Sequence, residues 1–170
     1  MSAPGEGAPA KGAPAPAARA VGLAVAVVAS RFNGAYVERL LAGALAALEE
    51  LGLARERVAV YRCPGAFELP LLAREVARAR RPDCIVALGA VIRGETPHFD
   101  FVAGEAARGL MEASLATGVP VSFGVITAAT PEQAEARTRA PLDRGAEAAR
   151  AAVEMVHALA EVRRHAPDRG

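Results

Sequence analysis

A histidine set behind a glycine, an acid, a hydroxyl and a proline can do chemistry that none of them does alone, and GETPH at residues 94–98 holds that pattern. Thr96 is expected to cap a helix, with Pro97 at its first position and His98 in its first turn. The free N–H groups and dipole at such a helix start favour an anion, phosphate above all, and Gly94 lets the backbone approach it closely. An imidazole there, the side chain whose proton equilibrium lies nearest neutrality, can both take and give a proton. A histidine at a helix end is by default a solvated ring; what gives His98 a role is the chemistry that surrounds it. His157 and His165 fall in the last helix and the polar tail, where no role is expected.

Three other segments are as rich: SRFN (30–33), PGAFELP (64–70) and SFGVIT (122–127). Each lies at or beside a short β-branched run. The runs 21–29, 57–62, 84–90 and 121–127 are mostly apolar, as strands covered on both faces are. Between them, helical spacing runs through 36–51, where Leu40, Ala44, Ala47 and Leu48 repeat before Gly52, and through 69–80 and 97–116, the latter ended by Gly118. A short helix at 132–137 precedes a long one at 144–163, which carries Ala149, Ala152, Val153, Val156 and Ala160 along one face. Strands alternating with helices predict an α/β three-layer sandwich around a four-stranded parallel sheet, of the flavodoxin-like class. Ligands of such sheets bind beyond the carboxyl ends of the strands, which is where the rich segments fall. The loops at the other end, 52–56 and 80–83, carry only turn and charge residues.

Composition narrows the classes. At 170 residues, 52% apolar and 4% aromatic, the chain suits one core of closely packed Ala, Val and Leu. A formal charge of +1 gives no field for a nucleic acid or an anionic membrane, so any phosphate must be met locally. Residues 1–20, nearly all Ala, Pro and Gly, read as a disordered tail; 21–163 reads as the single domain and 164–170 as a polar tail. The apolar run at 21–29 imitates the core of a signal peptide but is too short to span a bilayer, and it reads as a buried first strand. Cys63 and Cys84 lack C-x-x-C spacing and read as reduced thiols of a cytoplasmic protein. No H-E-x-x-H motif, Cys cluster, phosphate loop, G-x-G-x-x-G or G-x-S-x-G is present, so neither a metal nor a nucleotide cofactor is expected.

Taken in order, SRFN, PGAFELP, GAVIRGETPHFDFV, FGVIT and EQAEAR resemble the lumazine synthases, over most of residues 21–163. The resemblance implies cofactor-free condensation of 5-amino-6-(D-ribitylamino)uracil with 3,4-dihydroxy-2-butanone 4-phosphate to 6,7-dimethyl-8-ribityllumazine, with loss of phosphate and water. Carried over by position, Phe32 would stack on the pyrimidine, while Ala66, Phe67 and Glu68 would border the ribityl chain, Glu68 accepting its hydroxyl hydrogens. Ala90, Val91 and Ile92 would meet the uracil edge through backbone groups, and Gly94, Glu95 and Thr96 would surround the phosphate, which Arg137 would clamp. Phe123 of a neighbouring subunit would close the ring pocket, and His98 would shuttle protons.

One segment departs from the family pattern. Many relatives carry a glycine-rich, lysine-containing loop before the last helix; here it reads TRAPLDRG (138–145), so Arg144 is the candidate to replace that lysine and Pro141 stiffens the turn. The resemblance also implies a homo-oligomer, a pentamer or an icosahedral shell of pentamers with sites between subunits, and riboflavin synthase as a functional partner. The rival readings are an archaeal-type riboflavin synthase and a non-catalytic, shell-forming or flavin- or lumazine-binding protein of the same fold.

Overall fold

The run VAVVAS is buried at every position, which only a central strand flanked by helices on both faces permits. The computed structural model describes residues 19–165 and makes this run, Val25–Ser30, the strand β1. In chain order follow α1 (Gly34–Glu50), β2 (Ala59–Cys63), α2 (Leu69–Arg80), β3 (Cys84–Ile92), α3 (His98–Thr117), β4 (Val121–Ala128), α4 (Pro131–Ala136) and α5 (Arg144–Arg164), with short 3-10 turns at Arg55–Arg57 and Ala66–Glu68. All strand pairs are parallel, and the sheet order is β2-β1-β3-β4. This is the expected four-stranded, flavodoxin-like three-layer sandwich, with its switch point between β1 and β3.

Strand alternation sorts the core into two halves. Val25, Val27, Ala29, Val86 and Leu88 face α1 and α5, where Leu40, Leu48, Ala149 and Val153 meet them. Ala26, Val28, Ile85 and Ala87 face α2 and α3 instead, against Leu69, Ala73, Val76 and Leu110. Each fully buried valine or leucine contributes about 1.5–3 kcal/mol relative to exposure.

Several boundaries differ from the pattern reading. β1 begins four residues later than position 21, because Gly22 turns the chain at φ 80° and Asp83 then clasps Ala24, its carboxylate accepting from Ala24 N at 2.7 Å and its own N–H donating to Ala24 O at 2.7 Å. β2 begins two residues later than position 57 because the 3-10 turn takes up Arg57. Thr96 does not cap α3: Pro97 occupies the cap position itself, its carbonyl accepting from Asp100 N at 3.0 Å, and the helix starts at His98. Of the segment expected as an N-terminal tail, only Arg19 and Ala20 are described. Ala20 is fully buried and donates to Leu51 O at 2.8 Å. The rest of that segment, and residues 166–170 of the C-terminal tail, lie outside the described residues. None of the described helices is long and apolar enough to cross a membrane.

Asp143 starts α5, its carboxylate accepting from Ala146 N at 3.0 Å. Asp143→Ala is expected to cost about 1 kcal/mol, the usual loss for an acidic N-cap, seen as a lower denaturant midpoint at unchanged slope.

Candidate active site

At the switch point the pairing of the sheet opens. β1 pairs with β3 only as far as Ala29 beside Leu88, whereas β3 runs on to Ile92 with β4 alone on its other side. Asn33 Nδ2 donates to Ala90 O at 2.8 Å, and Arg93 N donates to Ala128 O at 2.9 Å. Backbone groups alternate sides along a strand, so Ala90 and Ile92 turn theirs toward the gap and Val91 turns its own to β4. Val91 therefore offers the gap its side chain rather than its amide.

Two loops wall this gap. Arg31 N donates to Cys63 O at 2.9 Å and Phe32 N donates to Pro64 O at 2.9 Å, lacing the turn after β1 to the turn after β2. Asn33 sits in the left-handed region at φ 57°, which asparagine tolerates, and its carbonyl starts α1 while its side chain reaches across to β3. Phe32 is thereby held 71% exposed at the rim, a position no apolar side chain takes for the sake of the core. Glu68 folds back onto its own turn, one carboxylate oxygen accepting from Gly65 N at 2.8 Å. Its second oxygen is the one left to meet a ligand.

The result is a pocket of about 670 Å³. Phe32, Ala66, Phe67, Glu68, Ala90, Val91, Ile92, Gly94, Thr96 and His98, all singled out from the sequence, line it. So do Asn33, Phe99, Phe101 and Val102, which pattern reading did not select. Asn33 had a signal in the SRFN run, as a residue suited to a left-handed turn at a strand end; Phe99 and Phe101 looked like ordinary helix residues. Glu95 is exposed on the loop beside the pocket without lining it. His98 opens α3 at the mouth, exposed, whereas the rings of His157 and His165 are each engaged by a backbone carbonyl, of Arg19 at 2.8 Å and Glu161 at 2.9 Å. Behind the wall, burial pushes the Cys63 thiol up to about 11, with the Glu68 carboxylate adding to the rise, so at neutral pH it stays protonated and is no nucleophile.

Phe123 and Arg137 do not line this pocket; for Phe123 that agrees with the resemblance, which puts it on a neighbouring subunit's side of the site. β4 is an edge strand, and the chain leaves it toward the α1 and α5 side, carrying Arg137 with it to the end of α4. Arg137 Nη1 donates to Gln133 O at 2.9 Å, and its carbonyl accepts from Arg144 N at 2.9 Å, so the two arginines leave adjacent points of the backbone. Arg144 pairs with Glu147 and, together with Phe123, Ser122 and Met111, lines a second groove of about 670 Å³ between α3, β4 and α5.

A doubly wound parallel sheet whose switch point holds an apolar, aromatic-rimmed pocket with one histidine and a strand end beside it defines an α/β enzyme for a flat, polar-edged organic substrate. The family model for 6,7-dimethyl-8-ribityllumazine synthase matches residues 22–160. The chain is 50% identical over 143 residues to the 6,7-dimethyl-8-ribityllumazine synthase of an Anaeromyxobacter species, covering 84% of this chain and 88% of that one. It is 48% identical over 135 residues to the protein of that name from Chlorobium phaeovibrioides, covering 78% and 86%, and 48% identical over 144 residues to that of Nitratidesulfovibrio vulgaris, covering 84% and 92%. The chain belongs to the 6,7-dimethyl-8-ribityllumazine synthase family.

Proposed function

We propose that the protein condenses 5-amino-6-(D-ribitylamino)uracil with 3,4-dihydroxy-2-butanone 4-phosphate to 6,7-dimethyl-8-ribityllumazine, releasing phosphate and water. The observation that carries this reading is the shared pocket: Phe32, the β3 edge at Ala90 and Ile92, Glu68 and His98 face one cavity of a size for one bicyclic product with its side chain. In this reading Phe32 stacks on the pyrimidine, the β3 edge pairs with its amide groups, and Ala66, Phe67 and the free oxygen of Glu68 meet the ribityl hydroxyls. Gly94, Glu95 and Thr96 surround the phosphate. His98 moves protons during imine formation, phosphate departure and ring closure.

The clamp comes from a second subunit. Phe123, Arg137 and Arg144 stand on the β4 flank, and that flank is apolar and exposed at Met111 and Leu115; the pocket rim is likewise exposed at Phe32, Phe67 and Phe101. Two such surfaces on one chain are what a head-to-tail ring buries. We infer a pentamer, with an icosahedral shell of pentamers as its larger form, cytoplasmic, and passing its product to a riboflavin synthase. The short segment 137–143 before α5, with no insertion, supports the shell. Light scattering that finds only monomer would sink both assemblies.

Mixing the protein with the two substrates is expected to release free phosphate in step with the appearance of lumazine fluorescence. A folded oligomer that yields neither overturns the reading. His98→Ala is expected to lower kcat by about tenfold to a hundredfold without abolishing turnover, because orienting two reactants in contact supplies much of the rate by itself. Unchanged steady-state rates in that variant would remove His98 from the chemistry.

A further inference from the structure

We propose that Arg93 and Asp100 form a clamp across the 94–98 loop and are positioning residues for His98 and for the phosphate-bearing reactant, an inference that rests on the condensation reading above. The loop needs such a device. Its first end is fixed where Arg93 N donates to Ala128 O, and its second where α3 begins at His98; residues 94–97 between them are exposed and without regular structure. Gly94 takes no positive φ, and a Cβ there would meet nothing within 4 Å, so the glycine adds freedom without being required by space. Ordering four such residues each time a ligand arrives would cost backbone entropy that then counts against binding.

Arg93 removes that freedom from the far side of the loop. Its guanidinium donates to both carboxylate oxygens of Asp100, at 2.9 and 3.4 Å, and lies 4.4 Å from the centre of the Phe99 ring. A planar cation that forks onto a carboxylate while resting on an aromatic face has little rotational choice left. Holding residues 99 and 100 sets the direction in which His98, one residue earlier, projects from the first turn. Phe99 lines the pocket, whereas Arg93 and Asp100 do not, so the pair acts through its neighbours. Stabilising the fold as a whole is a poor account of it: both side chains are about half exposed, at 47% and 57%, where ion pairs add little to global stability.

The test uses the full-length protein with Arg93→Gln, Asp100→Asn and the double variant. Each single change is expected to lower kcat/KM for the keto phosphate by about tenfold to a hundredfold, the scale of a misplacement near 1 Å, with the KM for the aminouracil within about twofold. The double variant should be no worse than the poorer single, since the two residues act as one unit. Amide hydrogen exchange at residues 94–99 should quicken in all three, at unchanged melting temperature and oligomer size. Wild-type kcat/KM in either single variant overturns the clamp, as do losses that multiply in the double, or equal losses for both substrates with a falling melting temperature. A wild-type protein unable to condense the substrates would instead sink the reading of the reaction, and the exchange rates alone would then decide whether the clamp orders the loop.

Discussion

Gly145→Ala is expected to destabilise the protein by about 3 kcal/mol or more, lowering its melting temperature by roughly 10 °C, although it adds a single methyl group to a helix. In most helices the same exchange stabilises by about 0.5–1 kcal/mol, because alanine loses less freedom on folding. At Gly145 the first turn of α5 lies against the backbone of α1: a methyl there would overlap the Leu40 carbonyl, its carbon standing 2.8 Å from Leu40 Cα and 2.7 Å from the carbonyl carbon. A side chain in the way could swing aside; a helical backbone cannot. The two helices must then part, opening the contact among Ala44, Ala47, Ala148, Ala149 and Ala152 that small residues make possible. The start of α5 also carries Arg144, whose N–H is bonded to Arg137 O, so the strain reaches that backbone contact as well. Gly104→Ala, in α3, where a Cβ would meet nothing within 4 Å, serves as the control and is expected to be neutral or slightly stabilising. Equal melting temperatures for the two variants would show that the α1–α5 crossing tolerates more separation than its geometry indicates.

The crossing at Gly145 also shows what pattern can and cannot convey. Apolar period placed all four strands and five helices, and the range 69–80 read for α2 matches both its ends, although its stop is a left-handed Arg81, which no residue type announces. The start of β1 was not legible, because it is set by the Asp83 clasp on Ala24, 59 residues apart in sequence, and hydropathy does not register a backbone hydrogen bond. Thr96 illustrates a different failure. Thr-Pro before a helix is a sound capping signal, but the Pro97 carbonyl takes the Asp100 N–H, so Pro97 holds the cap position and Thr96 is left one position outside. In the pocket, the strand-end motifs were visible as chemistry, while Phe99 and Phe101 became part of it only through the direction in which α3 leaves the sheet. Phe123 and Arg137 could be named from resemblance, but no single-chain pattern says on which side of a subunit boundary they act.

That boundary gives the second large effect. Replacing Arg137 by alanine is expected to lower kcat/KM for the keto phosphate by about a hundredfold, since a charge-assisted fork onto a phosphate contributes roughly 1.5–3 kcal/mol. Arg144→Ala should cost less, about tenfold, because Arg144 already shares its charge with Glu147 in the same turn, and the double variant should approach the product of the two. Inorganic phosphate should lose its power to inhibit Arg137→Ala; phosphate inhibition as strong as in the wild type would remove Arg137 from the clamp. The sharper experiment mixes chains. In a ring of head-to-tail contacts, co-expressed His98→Ala and Arg137→Ala subunits leave about a quarter of the interfaces with an intact His98 facing an intact Arg137. Activity should then rise to about a quarter of wild type, above either parent, although no chain in the mixture is whole. A mixture that shows only the average of its parents would mean that the imidazole and the guanidinium serve the same site from one chain, which the placement of Arg137 beyond β4, away from the pocket, argues against.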